Sequence, residues 1–378
     1  MNFDFSEEQV MLRDSVARFV QDDYDFDTRR KIADSDTGMS AANWQTFAEL
    51  GWLSIPFAEE HGGFGGNATD TMLVMEEFGK GLVVEPFLAT VVLFGGLLQK
   101  AGSPEQQGDY IPKIIEGSCQ GAFAYIERQS RYETADVKTT AVTNDDQVTI
   151  NGEKVVVLNG ANANHFIVSA RTAGEQSDEA GISLYLVAAD VAGLERVSYR
   201  MMDGQLVANV TLKDVVVPAT NLVGELNGGH ALIEELALDA KVAVAAEALG
   251  IMGQLNSKTL EYTKTREQFG VAIGSFQALQ HRMVDTFMAY EQTKSILYRA
   301  LCAAEEEDDD FASAVHAMSV MTDKNSRLIL AEAIQLHGGM GMTDELDIGH
   351  YAKRLMMLNT VFGDGDYHQA KFNELRYK

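Results

Sequence analysis

The sequence predicts a mostly α-helical protein with a central β domain, because the hydrophobic period changes twice along its 378 residues. From about residue 6 to 118, apolar residues recur at helical spacing. Short β-branched runs dominate 119–226, and helical spacing returns over 227–378. We therefore expect an N-terminal helical domain (1–118), a middle β-barrel or sandwich (119–226) and a C-terminal four-helix bundle (227–378).

The N-terminal zone begins with a helix start signal. Ser6 and Gln9 have the spacing of a capping box, in which each side chain bonds the other residue's backbone N–H. Val10, Val16 and Phe19 then follow at helical spacing, and the glycine-rich segment 61–66 interrupts the pattern further on.

Several short strands are predicted in the middle zone. The runs are 147–150, 155–158, 166–169, 182–187 and 207–212. Asn151-Gly152, Asn159-Gly160 and Asp203-Gly204 separate several of them, and such dipeptides favour hairpin turns.

Four long helices are predicted in the last zone. They cover 232–265, 279–304, 311–336 and 348–362. The acidic run 305–310 divides the second from the third and is expected to be a solvated loop.

Bulk composition excludes some partners. The net charge of −26 argues against binding to nucleic acid and to anionic membranes, which both attract basic surfaces. Cys119 and Cys302 are too few for a disulfide framework, and no signal peptide or membrane-spanning run is evident, so we expect a reducing cytosol.

Two segments carry groups suited to a dinucleotide diphosphate. Residues 266–270 read REQFG and residues 335–341 read QLHGGMG, and each follows a helical stretch. An arginine fork can meet phosphate oxygens, and a glycine turn lets backbone N–H groups approach closely. The alternative is purely structural: Arg266 ends one helix against its dipole, and Gly338-Gly339 cap another.

Five motifs in order resemble those of the acyl-CoA dehydrogenase family. Residues 51–66 resemble its loop G-L-x-x-P-E-x-Y-G-G-x-G, and Asn159-Gly160 followed by 167–171 resembles the stretch after its W-I-T-N-G. Residues 217–224 resemble V-P-x-x-N-x-L-G. The segments 266–277 and 335–341 resemble R-x-x-F-G…F-Q and Q-x-x-G-G-x-G.

The resemblance covers nearly the whole chain and implies an FAD-dependent α,β-dehydrogenation of an acyl-CoA, with electrons passed to an electron-transferring flavoprotein. In that family FAD lies between two subunits. The resemblance assigns five residues to the nucleotide end of an FAD held mainly by a neighbouring subunit: Arg266, Phe269, Gln335, Gly338 and Gly339.

The flavin-facing residues depart from the family pattern. The usual L-T-E-P-x-A-G-S-D is replaced by YIERQSRYE at 125–133, so that Ile126 stands where a threonine would bond the flavin ring. Val156 and Leu158 stand in place of the usual tryptophan and Thr/Ser. Each lost hydrogen bond would weaken binding by about 0.5–1.5 kcal/mol.

The general base that removes the α-proton also departs from the pattern. The family's terminal Glu falls at Phe362 or Gly363, and Asp364 is the nearest carboxylate, either a shorter base or a helix cap. Lys241 occupies the earlier-helix position that carries the base in other members, and a protonated lysine is no base.

Other readings of the base stay open. Glu247 lies among apolar residues and is either an acid–base group or paired across the bundle. His368 is either the partner of a nearby aspartate or an interface residue, and His61 and His337 could contact nucleotide. No metal-ligand spacing connects the eight histidines. A sister subunit could also supply the base.

The segments 127–132 and 362–368 together resemble one branch of the family. This branch is the small, often base-less subunit of heteromeric (α2β2) dehydrogenases, such as those acting on pimeloyl-CoA or on steroid side chains. The resemblance implies a heterotetramer with a homologous subunit. The alternatives are a self-sufficient homo-oligomer that uses Asp364 and a flavin-free structural or acyl-CoA-binding subunit.

Overall fold

The computed structural model describes residues 5–306 and 308–377. Its helices are Glu7–Asp23 (α1), Phe26–Asp34 (α2), Ala41–Glu49 (α3), Ala68–Gly81 (α4), Gly96–Ala101 (α5), Pro104–Ile115 (α6), Gly229–Thr265 (α7), Gln277–Glu305 (α8), Phe311–His337 (α9), Ile348–Leu358 (α10) and Gly365–Arg376 (α11). A π-helix covers Leu88–Gly95. The order of helices, strands and helices confirms the predicted fold class.

The strands are Gly121–Ala124 (β1), Thr140–Asn144 (β2), Gln147–Leu158 (β3), His165–Arg171 (β4), Ile182–Ala188 (β5), Leu194–Arg200 (β6), Leu206–Pro218 (β7), Leu222–Val223 (β8), Glu267–Gln268 (β9) and Val271–Ala272 (β10). The first eight form one mainly antiparallel sheet in the order β6-β7-β3-β2-β4-β5-β8, with β1 parallel to β4. The last two form a separate hairpin.

Two compact units arise from non-contiguous segments. One unit contains the chain up to Lys31, Ala68–Val83 and the chain from Lys241 onward. The other contains Ile32–Asn67 and Val84–Ala240. The three contiguous domains with the bounds given above stay a prediction.

Close helix packing in the first unit depends on two glycines. A Cβ on Gly79 of α4 would lie 2.2 Å from the carbonyl oxygen of Glu247 in α7. A Cβ on Gly250 would lie 2.0 Å from the carbonyl oxygen of Glu76. These distances are too short for any side chain, so the two glycines allow the backbones of α4 and α7 to touch.

The sequence signals for helix caps and turns were partly right. Ser6 and Gln9 form the predicted capping box, and the Asp203-Gly204 turn joins β6 to β7. The hairpin expected at Asn151-Gly152 is wrong, because β3 runs through this point as a strand with a shift of register. The Asn151 side chain bonds the backbone and the carboxylate of Asp214 across the irregularity, so this dipeptide serves a bulge and not a turn.

A buried ion pair stabilises the sheet domain. Lys154 Nζ lies 2.8 Å from Glu127 Oε1 and 2.9 Å from Ser169 Oγ, and both charged side chains are buried. Glu127 also accepts from the backbone N–H groups of Lys138 and Thr139. Burial raises the pKa of Glu127, but the Lys154 charge and these hydrogen bonds outweigh it and lower the pKa to about 2.

Breaking this pair should destabilise the protein in a pH-dependent way. We expect Lys154→Met to cost about 3–5 kcal/mol at pH 7, because it leaves a buried carboxylate without its cation. The folded-state pKa of Glu127 lies below its unfolded value, so its contribution is complete above about pH 4.5 and is lost as pH falls toward 2. Urea unfolding at several pH values measures this, and the prediction fails if Glu127→Gln shows the same pH slope as the wild type.

Candidate functional site

Arg266 and Phe269 lie on an exposed hairpin that directly follows α7. Phe269 and Gly270 form its two-residue turn between β9 and β10, with φ of 57° and 81°. Such a turn requires positive φ at both central residues, which is rare for an aromatic residue. The Phe269 side chain is nevertheless 92% exposed. No described residue offers the Arg266 side chain a hydrogen bond or a carboxylate within 4 Å, so its guanidinium is available to a ligand.

Gln335, Gly338 and Gly339 are also exposed, at the end of α9. Gly338 has φ 59° and ψ −138°, a conformation open only to glycine. Gly339 has neither a positive φ nor any neighbouring atom within 4 Å of the position where a Cβ would stand. Nothing within the described chain explains glycine there, whereas close approach of a ligand to the backbone would explain it.

An aromatic stack joins these two segments. The Tyr262 ring lies 4.4 Å from the buried His337 ring at an angle of 29°. Tyr262 is one turn before Arg266, and His337 is directly before Gly338. The ends of α7 and α9 are therefore held side by side, and the predicted nucleotide-binding groups share one end of the helical unit. Sequence reasoning missed Tyr262, which has no motif of its own.

Asp364 caps a helix. Its carboxylate accepts from the backbone N–H of Tyr367 at 3.0 Å and forms the N-cap of α11. This is one of the two roles considered from the sequence. Its role as a base stays a prediction.

Glu247 is committed to an ion pair. Arg354 Nε lies 2.6 Å from Glu247 Oε1, and Arg354 Nη2 lies 2.9 Å from Oε2. Both side chains are buried, so the bidentate contact neutralises the acid in place. Glu247 is therefore the cross-bundle partner considered from the sequence and not a free base.

Lys241 is buried and points to the same turn as Asp364. Its Nζ donates to the carbonyl oxygens of Val361 and Gly363, each at 3.0 Å. Burial lowers the pKa of Lys241 to about 8, and the charges of Asp323 and Asp364 oppose this shift.

The residues at the flavin-ring positions carry no side-chain hydrogen-bond group. Ile126, Val156 and Leu158 are half-buried in the sheet unit. Val156 lies in an irregularity of β3 and has φ 53°, a strained conformation for a β-branched residue. The side-chain oxygen of Asn209 accepts from its backbone N–H at 3.2 Å and helps to hold it there.

His61 and His337 each contact a polar group of the chain. His61 bonds Gln107 at 3.3 Å, and His337 bonds the carbonyl of Ala333 at 2.8 Å. Within residues 5–306 and 308–377, no group of three or more His, Cys, Asp or Glu side chains could hold a metal ion. No helix in the same part of the chain is long and apolar enough to cross a bilayer.

The architecture is that of the acyl-CoA dehydrogenase class of flavoenzymes. The N-terminal, middle and C-terminal domains of that family match residues 6–118, 122–215 and 227–371. The chain belongs to the acyl-CoA dehydrogenase family, whose members are oxidoreductases that act on CH–CH bonds and bind FAD.

Individual relatives agree with this assignment. The probable acyl-CoA dehydrogenase YngJ of Bacillus subtilis (strain 168) is 30% identical over 353 residues, which is 92% of each chain. A chain from a structure of the electron transferring flavoprotein of Acidaminococcus fermentans aligns over 100% of both chains, with TM-score 0.93 and 27% identity. The Tcur3481-Tcur3483 steroid ACAD, in a variant form, covers 98% of this chain and 97% of its own, with TM-score 0.88 and 26% identity.

The residues present fit one end of FAD better than the other. A free guanidinium and a bare glycine turn suit the diphosphate and adenosine half. At the positions that the resemblance assigns to the flavin ring, Ile126, Val156 and Leu158 have no side-chain donor. The two groups of residues therefore differ in what they can offer to FAD.

Two substitutions of Asp364 distinguish a role as helix N-cap from a role as general base. Asparagine is also a good N-cap, so we expect Asp364→Asn to keep the stability and Asp364→Ala to lose about 1 kcal/mol. Thermal unfolding measures both. Turnover of the reconstituted enzyme should survive in Asp364→Asn if the carboxylate only caps α11. A hundredfold loss at unchanged stability would instead identify it as the base.

Proposed function

We propose that this chain is one component of a heteromeric (α2β2) FAD-dependent acyl-CoA dehydrogenase. It would present Arg266, Phe269, Gln335, Gly338 and Gly339 to the nucleotide end of an FAD held mainly by a homologous partner subunit. The single observation that carries the proposal is the contrast between an exposed nucleotide-binding end and a flavin-ring region without side-chain donors.

The chemistry of the exposed groups supports this role. Bound FAD would accept the hydride that leaves the β-carbon of the acyl-CoA. Arg266 would neutralise diphosphate oxygens, and the N–H groups around Gly338 would approach them closely. Phe269 is strained and almost fully exposed, which is costly unless its ring packs against a partner or a nucleotide.

A second surface favours assembly with a partner. Val284, Phe287 and Met288 form a stripe on α8 at helical spacing, and their exposed fractions are 53%, 59% and 48%. An apolar helical stripe of this kind is typical of a face that another helix covers. We assign it to the homologous subunit.

The relatives support a class of substrate and of electron acceptor. An acyl-CoA would lose its α-proton and its β-hydride, and a bulky or dicarboxylic acyl group is favoured by the branch resemblance and by the steroid ACAD. The similarity to a chain from an electron-transferring flavoprotein structure supports transfer of the electrons to such a protein.

Arg266 should control flavin retention by the complex. We expect Arg266→Ala to weaken FAD binding roughly 10- to 100-fold, because it removes a charge-assisted contact worth about 1.5–3 kcal/mol. The measurement is the flavin dissociation constant of the chain co-expressed with a homologous acyl-CoA dehydrogenase subunit. Arg18→Ala, at an exposed arginine of α1, is the matched control.

Three outcomes would contradict the proposal. The first is that Arg266→Ala binds flavin as tightly as the wild type. The second is that the chain purified alone holds stoichiometric flavin that an acyl-CoA bleaches, which would establish a self-sufficient enzyme. The third is a colourless complex after co-expression, which would support the flavin-free subunit.

The α8 stripe should be needed for assembly. Phe287→Glu places a charge in the proposed interface, so we expect the heteromer to dissociate at least tenfold more readily. Met11→Glu, at a methionine on α1 that is 72% exposed, should leave assembly unchanged. Light scattering of the co-purified chains over a dilution series tests this, and equal masses for the two variants would remove the stripe from the interface.

A further inference from the structure

The environment of Lys241 is unusual for a buried cation. The side chain is only 5% exposed, and no described carboxylate lies within 4 Å of its Nζ. Its hydrogen bonds go instead to two neutral carbonyls, those of Val361 and Gly363. A buried charge without an ion pair opposes folding, so an apolar residue here would be more stable. The role of Lys241 is therefore to be sought in the turn that it holds.

The turn itself is strained. Phe362 has φ 56° and Gly363 has φ 116°, two consecutive residues in the left-handed region. A bulky residue adopts such a conformation only when its surroundings determine it. The carboxylate of Asp364 closes the turn on its far side by capping α11.

His368 supports the same turn from α11. Its Nε2 is buried and makes no hydrogen bond within the described chain, and a Cβ on Gly363 would lie 2.9 Å from it. Its Nδ1 lies 2.9 Å from His316 Nδ1. Burial, together with the charges of Lys241 and His316, lowers the pKa of His368 to about 2, so the ring is neutral near pH 7. A neutral ring can pack against the turn without repelling Lys241.

We propose that Lys241 is a positioning residue that locks the turn 361–364, so that this chain removes no proton and depends on the base of its partner subunit. The inference rests on the proposed function. The family resemblance gives two positions for a base, one on α7 and one in this turn. Here the α7 position carries a cation, and that cation is bonded to the backbone of the other position. The cation at one position therefore holds the backbone of the other.

The lock can be tested in the reconstituted complex with Lys241→Met and Lys241→Gln. The methionine variant keeps the bulk and loses the donors, whereas the glutamine amide retains two N–H donors for the two carbonyls. Lys258→Met is the control, because Lys258 lies on the same helix and pairs with Asp347 at 2.8 Å. The readouts are hydrogen–deuterium exchange of amides 361–368, flavin content, and turnover per flavin over a range of pH.

We expect Lys241→Met to raise exchange in the turn at least tenfold, Lys241→Gln to restore much of the protection, and Lys258→Met to leave it unchanged. Turnover per flavin should stay within threefold of the wild type in all three variants. Unchanged exchange in Lys241→Met would overturn the lock. Loss of turnover with flavin and exchange intact would overturn it too, and a missing limb of the pH profile near 8 would show that Lys241 transfers the proton.

The two proposals can fail separately. A wild-type complex without flavin would refute the proposed function, yet the exchange measurement would still report whether Lys241 holds the turn. Normal flavin binding with an unprotected turn would refute the lock and leave the proposed function standing.

Discussion

The stack of Tyr262 on His337 is the contact on which the proposed function depends. It holds the last turn of α7 against the last turn of α9, at a ring separation of 4.4 Å. Arg266 and Gly338 are the first residues beyond these two helices. Neither segment is a nucleotide site alone, because a cation needs a neighbouring turn of bare backbone to enclose a diphosphate. The stack brings the two segments next to each other.

Helix α7 also carries Lys241, whose environment was described above. Lys241 and Tyr262 both lie on α7, 21 residues apart, which corresponds to about 30 Å along the helix axis. The proposed nucleotide-binding end and the position of Lys241 are therefore too far apart for direct contact. Under the proposed function, a substitution at position 241 would leave the arginine hairpin at the end of α7 intact.

The sequence predicted what local chemistry determines and missed what tertiary contacts determine. The bounds of the long helices agree to within a few residues, because apolar period and caps are local. The pairing of Glu247 with Arg354 joins residues 107 positions apart, and Lys241 reaches a carbonyl 120 positions away. No periodicity records such contacts. The Asn151-Gly152 error has the same origin, because the Asp214 that converts the turn into a bulge lies 63 residues downstream.

At Val156 the backbone has an irregular shape although the side chain differs from the one that the family resemblance predicts. The tryptophan and the hydroxyl expected from the family are absent, yet the strand keeps an irregularity that forces a β-branched residue to φ 53°. Valine gains nothing from this conformation, and an unstrained strand would be more stable. The Asn209 side chain and the register with β7 maintain the shape of the backbone. The backbone thus keeps an irregular shape at a position where the side chain offers no hydrogen-bond group, and this combination agrees with the proposed function, in which the partner holds the flavin ring.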